Sequence, residues 1–433
     1  MDMEKTRSEI LPGVWLTHIQ SDKFKTALMS ISLLTQLNRE NASMNALIPF
    51  VLRRGCKLYP DMEQISARLD ELYGAMTEPC VRRIGEIQVI GFVSSFPEDS
   101  YVPAEESILS GICNLMGELL LHPVTRGGLF LPVYVDSEKE KLADIIRSVI
   151  NDKRSYATKR CIEEMCCFED YAVGRYGSAE DCEEIRYDRL TKHYHTILRN
   201  SPIEIFYCGK ASFEDVEQNL RDALCTLPRG EIDYDIGTDV RMNAVEDKPR
   251  YFEEKLDVGQ GKLVLGYRLG ECMEDPNKAA IQVFNAVYGA GVTSKLFMNV
   301  REKLSLCYYA SSFADVRKGI MFVSSGIDFD KFDEAKAEIL HQLEEVKKGN
   351  ISDDELNFAK RALVSDCRAM LDSPGDLETF IIGRIIDGDD ISPVEHAELI
   401  EEVTKEDVIE IANSLELDLI YFLKGEDAED END

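Results

Sequence analysis

The segment Gly289–Tyr309 carries the side chains best suited to chemistry in this sequence. It reads GAGVTSKLFMNVREKLSLCYY and places Arg301 and Tyr308 seven residues apart. Arg301 offers a rigid fork of donors, and Tyr308 a phenol on an apolar body. The same residues also have a structural reading. Arg301-Glu-Lys would be a solvated helix end, and Tyr308-Tyr309 part of a packed strand. Tyr309 is the neighbouring candidate if the register differs by one. Gly289 and Gly291 are expected to shape the turn into this segment, because glycine accommodates positive φ. They do not form a phosphate loop, which needs a third glycine between a strand and a helix. Cys307 has no evident histidine partner and is expected in the core.

Metal and acid–base chemistry need other residues. The chain has six histidines: His18, His122, His193, His195, His341 and His396. His341-Gln-Leu-Glu344 begins like a zinc motif, but Glu345 stands where a second histidine belongs. A solvated helix pair is the simpler account. His193 and His195 lie two apart, facing apart on a helix and together on a strand. No H-x-x-E-H, G-x-S-x-G or C-x-x-C occurs anywhere. The closest approach to a cysteine cluster (Cys161, Cys166, Cys167, Cys182) fits no zinc ribbon.

The elements that must position these residues are mixed. Leu296, Phe297, Val300 and Leu304 recur at helical spacing. Strands are expected over 203–208, 262–269, 320–325 and 418–423, where β-branched and aromatic residues concentrate. A helix is expected over 330–348, ending at Gly349. Ser352-Asp-Asp-Glu355 and Thr404-Lys-Glu-Asp407 read as helix starts. Strands and helices do not alternate strictly, so the fold class is α+β, with helices on mainly antiparallel sheets.

The sequence also repeats its order of elements. Leu190-Thr-Lys, a helical stretch and IEIFYCG are matched by Val403-Thr-Lys, a helical stretch and DLIYFLKG. Upstream, Arg83-Ile-Gly with its strand and long helix is matched by Arg317-Lys-Gly with its own. Two ordered matches argue for duplicated domains. The expected division is 1–228, a linker at 229–250, a second domain at 251–425 and an acidic tail at 426–433.

The Arg301/Tyr308 segment resembles the arginine/tyrosine segment in the C-terminal half of zinc peptidases of the pitrilysin, insulinase and mitochondrial-processing-peptidase family. Those enzymes bind zinc through an inverted H-x-x-E-H motif near the N-terminus. The resemblance implies a clamshell half of two homologous domains. Arg54-Gly55 resembles the Lys-Gly after the family's metal helix. By that register the motif falls on Ala46, Leu47, Ile48, Pro49 and Phe50, none of which can ligate zinc or move a proton. Pro49 is expected to distort the helix as well. Glu140 resembles the first of a glutamate pair, and the third-ligand position seven later is Arg147. The metal positions Ala46, Pro49, Phe50 and Arg147 are therefore read as vacant, with no catalytic residue in this chain.

The resemblance runs closest to the non-catalytic member of paired bacterial peptidase-like proteins whose names refer to elongation factor P modification. It implies a non-catalytic subunit of a heterodimeric zinc endopeptidase. Arg301 and Tyr308 would then hold the substrate backbone and the developing oxyanion. Zinc would belong to a homologous partner subunit, the substrate would be a peptide or unfolded protein, and this chain would need no cofactor. The alternatives are a catalytically dead peptide-binding or scaffold protein of the same fold, and an unrelated hydrolase or metal enzyme. The isolated chain is open to both a monomer and a homodimer.

Composition narrows the partners. With 81 acidic against 49 basic residues, the net charge is −32. Phosphate backbones and anionic membrane surfaces would be repelled, so neither nucleic acid nor membrane is an expected partner. The N-terminus lacks a basic-then-apolar leader, and no apolar run reaches membrane-spanning length. Twelve cysteines without a secretory signal suggest reduced thiols and a cytoplasmic location.

Overall fold

The computed structural model describes residues 4–103, 107–274 and 277–426. Residues 427–433 of the expected acidic tail lie outside them. The first half of the chain supplies strands β1 (Glu4–Leu11), β2 (Val14–Gln20), β3 (Thr26–Gln36), β4 (Met76–Ile84) and β5 (Ile87–Pro97). A short hairpin, β6 (Thr125–Arg126) and β7 (Leu129–Phe130), and then β8 (Ile203–Gly209) follow. The second half supplies β9 (Arg250–Leu256), β10 (Gly261–Arg268), β11 (Tyr309–Asp315), β12 (Ile320–Ile327) and β13 (Glu416–Gly425).

These strands form two large sheets, in the orders β1-β2-β8-β3-β5-β4 and β11-β12-β10-β13-β9. Reversing the second gives β9-β13-β10-β12-β11, which repeats β2-β8-β3-β5-β4 position for position. The pairing senses repeat too. β2–β8 and β9–β13 are parallel, and the remaining neighbours in both series are antiparallel. The fold is thus α+β, built from two homologous, mainly antiparallel domains. The matched sequence runs IEIFYCG and DLIYFLKG are the equivalent strands β8 and β13.

The helices follow the signals in the sequence. Asp353–Met370 and Lys405–Ser414 begin with reciprocal capping boxes at Ser352/Glu355 and Thr404/Asp407. The helix expected over 330–348 spans Phe332–Lys347, with Ala335, Ile339, Leu343 and Val346 buried.

The chain folds into two compact units. The first contains residues 1–147, 173–237 and 373–386, and the second 148–172, 238–372 and 387–433. Each unit therefore takes one helical segment from the other half of the sequence. In each half, this segment lies in the third long helix after the central hairpin: Lys153–Met165 after β5, and Pro374–Asp387 after β12. The two copies exchange equivalent helices.

Both exchanges rest on chemistry. In the second unit, strand residues alternate between two apolar clusters, so the sheet is covered on both faces. Leu263, Leu265, Met321 and Val323 point to one cluster. Val264, Phe322, Leu419 and Tyr421 point to the other, against Ala157, Cys161 and Met165 of the exchanged helix. A Cβ at Gly266 would lie 2.5 Å from Met165 Sδ, so glycine lets the helix approach. In the first unit, Glu378 of the exchanged helix accepts two bonds from the Arg82 guanidinium, both 2.6 Å, and one from Ser30 Oγ at 2.8 Å.

Candidate functional site: the Arg301 segment and the metal-helix positions

Arg301 lies in a π-helical segment, Leu296–Lys303, held by the buried side chains of Leu296 and Val300. Its guanidinium carbon sits 4.7 Å over the Phe297 ring, with Nε 3.6 Å from Glu302 Oε1. The side chain remains 42% exposed. Beyond the helix, Leu306 N–H bonds back to Val300 O at 3.0 Å, and Ser305 adopts φ +50°. That left-handed residue ends the helix and turns the chain toward the sheet.

Tyr308 does not pack within a strand. Its N–H donates to Gly326 O at 2.8 Å, fixing the backbone beside β12, but β11 begins only at Tyr309. The Tyr308 ring is 61% exposed, and its hydroxyl donates to Asp328 Oδ1 at 3.3 Å. Among the described residues, no hydrogen bond or ring contact joins the Arg301 and Tyr308 side chains. Between them Cys307 is buried, as expected of a core thiol. Burial raises its pKa, with Arg301 and a bond from Ser325 opposing.

The glycines act differently from expectation. Neither Gly289 nor Gly291 has positive φ; Gly291 sits at −132°. Gly289 is required by crowding instead. A Cβ there would lie 2.5 Å from Ser312 Oγ and 2.7 Å from Leu296 Cδ1, whereas Gly291 faces open space.

Tyr309, the alternative candidate, is half-buried on the edge strand. Arg154 covers its ring at 4.2 Å and donates to Ser311 Oγ at 2.6 Å. Nothing in the local sequence at Arg154 signals a contact this far along the chain. It becomes visible only once the Lys153–Met165 helix is placed on the second sheet.

The positions that the resemblance assigns to a metal lie on the Ala42–Leu52 helix and at the end of Pro132–Ser148. Ala46, Leu47, Ile48 and Pro49 are buried in the core of the first unit, and Phe50 packs against it. The helix runs on through Pro49, and Arg53 N–H still bonds to Pro49 O at 3.1 Å. The expected distortion therefore does not break the helix. Arg147 pairs with Glu183 at 2.5 Å. Hydrocarbon at three positions and a cation at the fourth offer no donor set, so these residues do not fit a zinc ion. Among the described residues, no group of three or more His, Cys, Asp or Glu side chains is gathered for a metal elsewhere.

The histidine pair resolves onto a helix, Tyr187–Asn200, where His195 faces solvent and His193 turns inward. His193 Nε2 lies 2.6 Å from Asn45 Oδ1, one residue before Ala46. Asn45 Nδ2 donates to Gln88 Oε1 at 2.9 Å and Thr35 Oγ1 at 3.2 Å. Gln88 Nε2 donates to Ala42 O and Arg175 O, at 3.0 and 2.7 Å. This polar network beneath the helix carried no sequence signal, because its members lie far apart in the chain. Burial, with Arg189 nearby, lowers the His193 pKa to about 4. His341 is exposed and Glu344 pairs with Lys347 at 3.0 Å, the solvated arrangement expected there.

Duplicated α+β domains, with hydrocarbon where a zinc helix would carry its ligands, define an inactive member of a two-domain metallopeptidase class. The chain belongs to the M16 peptidase family. It is 32% identical over 409 residues to the protein named "Probable inactive metalloprotease YmfF" of Bacillus subtilis (strain 168), covering 94% of this chain and 95% of that one. Residues 184–363 match the family described as "Peptidase M16 inactive domain". A conserved protein from Enterococcus faecalis V583 superimposes with a TM-score of 0.88 at 28% identity, over 98% of this chain and 100% of that one. A peptidase M16 inactive domain from Pseudomonas fluorescens shares the fold at 16% identity, with a TM-score of 0.78 and 98% of each chain covered.

Proposed function

We propose that this inactive peptidase homologue is the non-catalytic subunit of a heterodimeric zinc endopeptidase. The zinc belongs to a homologous partner, and this chain offers Arg301 and Tyr308 to a peptide or unfolded-protein substrate. The reading includes a cytoplasmic location, argued from cysteine usage. The observation that carries it is the exposure of these two side chains on a segment anchored by buried neighbours. Leu296, Val300 and Cys307 are 0–9% exposed, whereas Arg301 is 42% and Tyr308 61% exposed. Packing accounts for the anchors and leaves a donor fork and a phenol turned to solvent. The π-helical geometry of the Arg301 turn is of a kind often found at functional sites.

A second reading, a catalytically dead scaffold, is favoured by one detail. Arg301 already stacks on Phe297 of its own helix and lies beside Glu302, so it can be a structural surface residue. Peptide cleavage separates the two. The chain is assayed alone, with the H-x-x-E-H homologue from the same genome, and in that pair carrying Arg301→Ala or Tyr308→Phe. Activity only in the pair, reduced at least about a hundredfold by Arg301→Ala, supports a shared site. Paired activity indifferent to both substitutions assigns the chain a scaffold role. Pairs with no activity overturn the endopeptidase reading.

A further inference from the structure

We propose that the first unit contains a binding site for a small carboxylate with an aromatic or apolar body. The site is a cleft of about 530 Å³ between the loop at 56–60, the β6–β7 hairpin and the Tyr187–Asn200 helix. Its volume suits a small ligand.

Charge is the first argument. The chain carries 81 acidic and 49 basic residues, yet no Asp or Glu lines this cleft. Lys57, His122 and His195 do. Among the described residues the exposed Lys57 ammonium makes no ion pair or hydrogen bond, and only its backbone N–H is engaged, to His122 O at 2.7 Å. His195 makes one ring contact, with Tyr194 at 5.0 Å, and its nitrogens are likewise unengaged among the described residues. His122 is already engaged, with Nδ1 3.3 Å from Glu118 Oε1 and Nε2 3.3 Å from Thr226 Oγ1. With the neighbouring acid held by His122, the unengaged basic groups of the cleft among the described residues are Lys57 and His195, which favour an anion over a cation.

The floor is the second argument. Val124, Phe130 and Tyr194 line it. The polar atoms among them are already committed. Tyr194 Oη donates to Leu120 O at 2.7 Å. Thr191 Oγ1 donates to Tyr187 O at 2.6 Å and accepts Phe130 N–H at 3.0 Å. The floor therefore offers aromatic and aliphatic surface, and Lys57 and His195 stand as polar handles at the rim. An anionic head on an apolar body matches both. The walls are held in place by the Cys56–Pro123 bridge and the Lys57–His122 bond, so little ordering is needed on binding.

The test is isothermal titration calorimetry of the full chain with 3-phenylpropionate. Its neutral isostere 3-phenylpropanamide and the cation 3-phenylpropylamine are the comparisons. The expected result is saturable binding of the carboxylate and at least about tenfold weaker binding of amide and amine. Lys57→Glu, at an exposed position that leaves the fold intact, should also weaken the carboxylate at least about tenfold. Val124→Trp, which fills the floor, should abolish binding while Lys57 remains. Absence of saturable heat by about 10 mM carboxylate overturns the proposal. So does amide or amine binding as tight as the carboxylate, or carboxylate binding unchanged in Lys57→Glu. Retained binding in Val124→Trp, checked by circular dichroism to be folded, overturns the placement in this cleft.

Discussion

Arg268 Nε donates to Asp418 Oδ2 at 3.0 Å, and neither side chain reaches solvent. Arg268 also grips Glu169 at 2.6 Å, Lys318 reaches the same Glu169 at 2.7 Å, and Arg250 holds the other oxygen of Asp418 at 2.7 Å. This network lies beside the apolar face that receives the Lys153–Met165 helix, and Arg268 also donates to Met165 O at 3.2 Å. Removing one member leaves buried charges without partners, which costs about 3–5 kcal/mol. Arg268→Met should therefore lower the urea unfolding free energy by about that amount. A loss below about 1 kcal/mol would show that the network is bystander chemistry.

His193 makes stability depend on pH in a defined direction. Its pKa falls from the ordinary 6.5 to about 4, chiefly through burial. The unfolded chain takes up a proton below about pH 6.5, but the folded chain resists until about pH 4. This contribution is therefore complete above pH 6.5 and lost as pH falls from about 6.5 to 4. At 1.36 kcal/mol per unit the upper limit is about 3 kcal/mol. Urea midpoints between pH 4 and 7 should rise more gently with pH in His193→Gln than in the natural chain. Identical slopes would rule out His193 as the source.

Glu204 opposes that trend within the same unit. It is 4% exposed, and burial lifts its carboxyl to about 7 despite Arg7, which donates from 2.7 Å beneath a stacking contact with Trp15. The folded chain holds a proton that the unfolded chain releases above about pH 4.5. The contribution is present below that pH and lost as pH rises through about 7, by at most about 3 kcal/mol. Glu204→Gln should thus gain stability relative to the natural chain at pH 8 and show little difference at pH 4.5. Denaturation of both proteins at the two pH values checks this. A Gln variant less stable at pH 8 would mean that the Arg7 pair outweighs desolvation.

The legible parts of this fold were those written locally. Capping boxes at Ser352 and Thr404 and apolar runs such as IEIFYCG are properties of neighbouring residues, and they appear where expected. Duplication was legible because both copies keep the same order of elements. The hydrocarbon at Ala46 and Pro49 was legible once the resemblance had assigned those positions to a metal, since neither can donate to one. What the sequence could not reveal depends on distant partners. Arg154 reaches Ser311, His193 meets Asn45, and Arg268 finds Glu169, each 99 or more residues away along the chain. The two-residue spacing of His193 and His195 was ambiguous until the helix assigned them to different faces. Gly289 was misread because glycine serves close approach as well as positive φ, and only packing against Ser312 and Leu296 distinguishes the two uses.

The exchanged helices make a prediction that a linear reading of two domains does not. If the halves were self-contained, fragments 1–237 and 238–433 would each fold. Here fragment 1–237 would lack residues 373–386 of its compact unit, leaving Arg82 and Ser30 without Glu378. Fragment 238–433 would lack residues 148–172, exposing Val264, Phe322, Leu419 and Tyr421 and stripping Arg268 of Glu169. Uncovered apolar surface of this kind, combined with a stranded buried cation, removes more free energy than a domain's ~5–15 kcal/mol margin readily tolerates. Each fragment alone should therefore bind a hydrophobic dye and lack a cooperative urea transition. A third fragment, 238–433 with residues 148–172 linked to it, tests the cause directly, because those residues restore the cover of the second sheet. It should regain a cooperative transition relative to 238–433. Independent cooperative folding of 238–433 would instead mean that the helix is an accessory to a sheet stable without it.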